Sequence, residues 1–249
     1  MLFHRAARLA SGDLIEVDGR PVRLAVHARA RRVSLRLDSA RREVIATAPS
    51  ARRLPEAAAF AESRRQWIAE RLDALPQAQS FQPGQLIPFA DGHCRLERAA
   101  MRIAPRIIPA NDSEPARLVA AGDGGAYARA VERALRAEAL RVLSERTAVH
   151  AGVLGATMPS VAVMDAKARW GSCLQGRDGA PGRIRYAWRL ILAPPHVADY
   201  VAAHEAAHLI EANHGPRFWA LVRRLFGDPA KARAWLRIHG AQLHAIGRS

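Results

Sequence analysis

The first fifty residues alternate between apolar and polar positions with a period of two. Val33, Leu35 and Leu37 are interleaved with Ser34 and Arg36, the pattern of a half-buried strand. Four short strands are predicted here, Asp13–Val17, Val22–His27, Arg31–Leu37 and Glu43–Ala48, with turns at Gly19 and at Asp38-Ser39. The period then changes. Phe60, Trp67, Ile68, Leu72 and Leu75 form one stripe at helical spacing, so a helix over 55–75 is expected, opened by Pro55 and stopped by Pro76. Short strands are expected again between Phe81 and Ile108, broken at Gly84, Pro88 and Asp91-Gly92.

Residues 109–125 are rich in Pro, Ala, Asp and Gly and are the best linker candidate. A long helix is expected from Ala126 to His150, with Val131, Leu135, Val142 and Val149 on one face. Strands follow at Val161–Met164 and Ile184–Leu192, separated by a Gly-rich loop from Gln175 to Gly182. Pro194-Pro195 opens a helix to about Ala212, and two more helices are expected near Arg217–Phe226 and Pro229–Leu243. The pattern is that of an α+β protein in three parts: a β-rich region over 1–110 with one helix, a linker over 111–125, and a domain over 126–249. No internal repeat is evident.

Composition narrows the class. Apolar residues make up 49% of the chain, too many for a disordered protein. Cys94 and Cys173 are the only cysteines, so a disulfide scaffold is excluded and a reducing compartment is favoured. Every uncharged stretch is too short for a membrane span, and the first residues lack the apolar run of a signal peptide. A soluble, cytoplasmic protein without a membrane partner is expected. The net charge is +15, carried almost wholly by arginine, since only Lys167 and Lys231 are lysines. That bias fits genome composition as well as function, so the charge alone is weak support for a nucleic-acid partner.

The helix after Pro195 carries the chemistry. His204 and His208 lie four residues apart, which stacks their rings on one helical face and lets both bind one Zn²⁺. Glu205 follows the first histidine and is placed to accept a proton from water. The rest of this helix is apolar or small, so the three polar side chains need partners, and a metal supplies them. The competing reading is a pair of hydrogen-bonded core histidines.

Zinc needs a third protein ligand. His214 is the first candidate: the helix can end near Ala212, Asn213 can take a left-handed cap, and Gly215-Pro216 starts the next helix. Glu211 is the rival, better suited to supporting a ligand histidine. Tyr200, one turn before His204, is a candidate oxyanion donor or a core tyrosine. Asp199 is a helix N-terminal charge or a partner of a ligand. Phe218, Trp219 and Cys173 are read as structural.

Three segments together resemble the YgjP-like metallopeptidase domain family, a relative of SprT-like and WLM-type zinc proteases. They are Arg169-Trp170-Gly171-Ser172-Cys173, then Arg189 through Pro195, then Asp199-Tyr200 through His204-Glu205-Ala206-Ala207-His208, Asn213-His214 and Phe218-Trp219. The resemblance extends upstream to Arg31 through Leu35 and to Trp67-Ile68. It implies a zincin-like fold, a small twisted sheet packed on an active-site helix. It also implies His204, His208 and His214 as zinc ligands, Glu205 as general base, and a peptide or protein substrate. The chain departs from the family at Ala187, Ala206 and Ala207 and in a longer 175–182 loop, and a substrate role near Trp170 is left open. The glycine of metzincins is replaced by Glu211, and no methionine follows the motif. Two other functions stay open: a metal-dependent hydrolase of a nucleotide or other phosphorylated small molecule, and a DNA-associated protease of SprT-like type.

Overall fold

A computed structural model describes residues 9–39, 41–166, 169–177 and 180–248. The chain divides into two units, residues 1–77 and 78–249. The boundary therefore precedes the strands around residue 90, which belong with the C-terminal helices. The segment expected as a linker is built into a sheet.

In the first unit, β1 (Leu14–Val17), β2 (Arg20–Val26), β3 (Ser34–Asp38) and β4 (Glu43–Ala48) form one sheet in the order β1-β2-β4-β3. β2 and β4 are parallel and the outer pairs antiparallel. The expected single helix is two, α1 (Leu54–Ser63) and α2 (Arg65–Asp73), separated where Arg64 leaves helical geometry. The break turns the stripe: Leu54, Ala57, Ala61, Ile68 and Leu72 are buried on the sheet, whereas Phe60 and Trp67 are only half-buried. One arginine of the first unit has a structural use. Arg23 holds the buried Glu43 through Nε–Oε1 and Nη2–Oε2 contacts of 2.7 and 2.8 Å.

In the second unit, β5 (Leu86–Phe89), β6 (Gly92–Arg98), β7 (Arg106–Ile108) and β8 (Ala116–Ala120) form a sheet in the order β5-β6-β8-β7. The pairing senses are those of the first sheet. The correspondence is residue by residue, at an offset of 72 positions. β1, β2 and β3 start 72 residues before β5, β6 and β7. Gly12 and Gly84 both have positive φ, as do Asp18 and Ala90 in the tight turns. Gly12 N–H donates to the Leu24 carbonyl and Gly84 N–H to that of Leu96, at 2.8 and 2.7 Å. His27 N–H bonds Ala48 as Ala99 bonds Ala120. The chain thus contains a repeated four-stranded motif, each copy leading into a helix.

In the second copy that helix is α3 (Gly124–Leu154), ended by Gly155 at φ 66°. One row of its buried positions recurs every four residues, Tyr127, Val131, Leu135, Ala139, Leu143, Thr147 and Ala151, with Ala130, Ala134 and His150 buried beside it. Four residues turn about 40° past a full turn, so this row winds round the helix as it passes from β8 to the second sheet and α4. The straight stripe expected through Val149 fails for that reason, and Val149 is exposed.

The second sheet contains β9 (Ser160–Met164), β10 (Gly171–Leu174) and β11 (Arg183–Ala187), in the order β10-β11-β9. The expected strand to Leu192 ends at Ala187 and continues as a buried 3-10 turn, Trp188–Leu192. α4 (Pro195–Ala207), α5 (Pro216–Phe226) and α6 (Ala230–Ala245) complete the unit. Among the described residues no helix is long and apolar enough to cross a membrane.

Candidate metal centre

α4 is held on α3 and the sheet by side chains remote from the cleft. Pro195 starts it, and its alanines and valines are buried on nearly every side. Asp199 meets the buried His150 of α3 at 2.9 Å. Thr147 bonds the Tyr186 hydroxyl at 2.8 Å and so links α3 to β11. Asp199 is thus a helix-to-helix tie.

The helix ends at Ala207, earlier than expected. Leu209 and Ile210 continue as turns, with N–H bonds to the carbonyls of Ala206 and Ala207. Asn213 does not adopt the expected left-handed cap. A tight turn from the Asn213 carbonyl to Gly215 N–H, 2.7 Å, reverses the chain instead. Pro216 then begins α5, and His214 is brought back over α4.

The result is a convergence of three imidazoles. Nε2 of His214 is 3.1 Å from Nε2 of His204 and 3.2 Å from Nε2 of His208. His204, His208 and His214 form the one such cluster of candidate ligands among the described residues. Tetrahedral zinc with Zn–N bonds of 2.0–2.1 Å requires ligand nitrogens about 3.3 Å apart. The residues fit a metal chemically as well. His208 Nδ1 faces the Glu211 carbonyl at 3.0 Å, which fixes the hydrogen there and frees the Nε2 lone pair. Burial, reinforced by the other two histidines, lowers the His204 pKa to about 4, and burial lowers that of His208. With His204 and His208 kept from protonation by burial and His214 converging on them, the three rings are a donor set that fits a metal ion.

Glu205 sits beside them, 5% exposed. Burial raises its pKa to about 7, with Arg169 pulling the other way. A carboxyl poised there holds or releases a proton near neutrality. Glu205, His204, His208 and His214 share the wall of a cleft of about 470 Å³ with Arg169, Gly171, Ser172, Cys173, Leu174, Gln175, Arg177 and Ala212. Among the described residues β10 pairs only with β11, and its residues Gly171, Ser172, Cys173 and Leu174 line this cleft.

The remaining candidates divide by position. The Glu211 carboxylate pairs with Arg217 at 3.5 Å, and its carbonyl is what orients His208. The Tyr200 hydroxyl lies 3.5 Å from His204 Nδ1 and is largely buried, beside a ligand candidate and away from the cleft wall. Trp170 stacks on His244 of α6 at 4.3 Å and does not line the cleft. Cys173 lines it, but burial pushes its thiol up to about 12, so it stays protonated.

Phe218, expected as structural, and Gly171 shape the surroundings of the histidines and Glu205. Phe218, fully buried, touches all three imidazoles, with ring centroids 4.9, 4.4 and 4.6 Å from those of His204, His208 and His214. Gly171 leaves the space that the Glu205 side chain fills. Its place in a strand with an Arg-Trp-Gly-Ser-Cys run was the available signal. Gln175 adds a clamp, its amide donating to the His208 carbonyl at 2.9 Å.

No curated protein and no solved structure matches the chain. A family model does, the YgjP-like metallopeptidase domain, over residues 31–239. The match spans the convergent histidines, the buried glutamate and the strand beside them, and most of the N-terminal unit as well. By that match the chain belongs to the YgjP-like metallopeptidase domain family, whose chemistry uses a metal cofactor.

Proposed function

We propose that the protein is a zinc-dependent endopeptidase and that its 78–249 unit is a zincin-like domain. His204, His208 and His214 hold the cation and Glu205 is the general base. The observation that carries this reading is the approach of His214 Nε2 to within 3.1–3.2 Å of the Nε2 atoms of His204 and His208, beside a buried carboxyl and an open cleft. Zn²⁺ held there supplies Lewis acidity, bringing the pKa of water down toward about 7 and polarising a carbonyl.

The protein groups do the rest. Glu205 takes a proton from the attacking water at its carboxylate and passes it to the departing amine. A pKa of about 7 suits both transfers near neutral pH. His208 keeps its tautomer through Glu211, and Phe218 fixes the three rings in orientation. An extended peptide lies along the free edge of β10, where backbone hydrogen bonding positions its scissile bond.

The test is Glu205→Gln, assayed for bound zinc and for hydrolysis of a quenched-fluorescent peptide library. Zinc content stays at the wild-type level and hydrolysis falls at least about 100-fold. Hydrolysis retained at the wild-type rate overturns the assignment.

A further inference from the structure

Two exposed arginines line the cleft. Arg169 precedes β10 and Arg177 follows it, so two guanidinium groups bracket the edge strand and line the cleft shared by His204, Glu205 and His214. Both are exposed, and neither forms an ion pair with another described residue. Elsewhere around the histidines the cations are occupied: Arg217 pairs with Glu211, and Arg233 lies over the Trp219 ring at 5.0 Å. Among the described residues the lining includes one carboxyl, Glu205, which is buried and feels the charge of Arg169. Imidazole ligands bring no negative charge to offset that of a divalent cation. Among the described residues the exposed wall that meets substrate thus carries two guanidinium groups without an ion-pair partner, and a substrate group of negative charge complements them.

We propose that this cleft selects peptides carrying a carboxylate close to the scissile bond, with Arg169 and Arg177 as the specificity-determining residues. This rests on the peptidase reading of the same site. The two arginines lie at opposite ends of β10, so a strand-like peptide on that edge presents its side chains to one or the other. Two sources provide the carboxylate, an Asp or Glu side chain and the free C-terminus of the peptide. Exposed ion pairs of this kind change binding by about two- to fivefold each.

The experiment uses the full-length protein and one peptide sequence with Glu, Gln or Lys beside the cleaved bond, each with a free or an amidated C-terminus. At low salt kcat/KM for Glu exceeds that for Gln by about fivefold or more, and the ratio shrinks in 0.5 M salt through screening. Arg177→Gln brings the ratio toward one, and Arg177→Glu turns it in favour of Lys. Dependence on amidation alone assigns the carboxylate to the chain end. Anisotropy of the labelled peptides on Glu205→Gln protein, with and without zinc, gives the same order without turnover. Equal kcat/KM for Glu, Gln and Lys, with hydrolysis intact, overturns the proposed selectivity and leaves the peptidase reading standing. No hydrolysis of any peptide, together with phosphate or pyrophosphate release from a nucleoside triphosphate, overturns the peptidase reading itself.

Discussion

A methyl group on Gly171 would stand 2.4 Å from Oε1 of Glu205 and 2.6 Å from its Cγ and Cδ. Gly171 lies in β10 and Glu205 in α4, and the strand and helix pack directly against each other. The glycine is not there for backbone freedom, because its φ is not in the left-handed region. It is there because the carboxyl fills the space a side chain would need. Gly171→Ala is therefore expected to push the Glu205 carboxyl aside while leaving the three histidines in place. Hydrolysis falls about 100-fold, the scale of a displacement near 1 Å, while zinc content holds. Stability falls by about 1–3 kcal/mol from overpacking. Measuring activity and zinc in the same preparation checks this, and full activity in the alanine variant would contradict it.

Phe218 gives a second prediction. Its ring is fully buried and meets all three imidazoles, so truncation leaves a cavity beneath the histidines. Phe218→Ala is expected to cost about 3–5 kcal/mol in chemical denaturation. Because the rings lose a common support, zinc affinity drops about tenfold or more, measured by competition with a chromogenic chelator. Phe218→Leu, which keeps most of the volume, recovers the larger part of both.

The histidines and Glu205 were legible in the sequence because their geometry is local. A spacing of four on one helix stacks His204 and His208, and a short turn returns His214. The Gly171 contact joins residues 34 positions apart through a strand-to-helix packing that no periodicity reports. The repeat at an offset of 72 was hidden for a related reason. Matched positions keep burial and turn geometry while side chains change: Val22 against Cys94, Val44 against Ala116, Ala46 against Leu118. Only scattered identities survive, such as Gly12 with Gly84 and Leu24 with Leu96.

The linker reading of 111–125 failed at β8. Ala116, Leu118 and Ala120 alternate as buried residues, but alanine gives little strand signal. The break at Arg64 had no Gly or Pro to mark it. It is visible only in the way α1 and α2 pack separately on the sheet.

His244 sets a pH dependence of stability. It stacks on Trp170, and its Nδ1 is buried without a hydrogen-bond partner among the described residues. Burial, aided by the charges of Arg189 and Arg248, lowers its pKa to about 4. The folded protein therefore refuses a proton that the unfolded chain accepts near pH 6.5. The stabilisation is complete above that pH and is lost as pH falls toward 4, by at most about 3 kcal/mol. His244→Phe keeps the stacking and removes the titration. Its Tm is expected to fall less than that of the wild type between pH 7 and pH 4.5. Parallel Tm curves for the two proteins would refute the assignment.

The central claim is that His204, His208 and His214 hold one divalent cation. Its most direct test is the zinc-to-protein ratio by atomic spectroscopy, on protein exposed to zinc and then desalted. About one zinc per chain is expected in the wild type and in Glu205→Gln, and a ratio near zero in His204→Ala and in His214→Ala. A wild-type chain that takes up no metal, or a stoichiometric ion retained in both histidine variants, would contradict it.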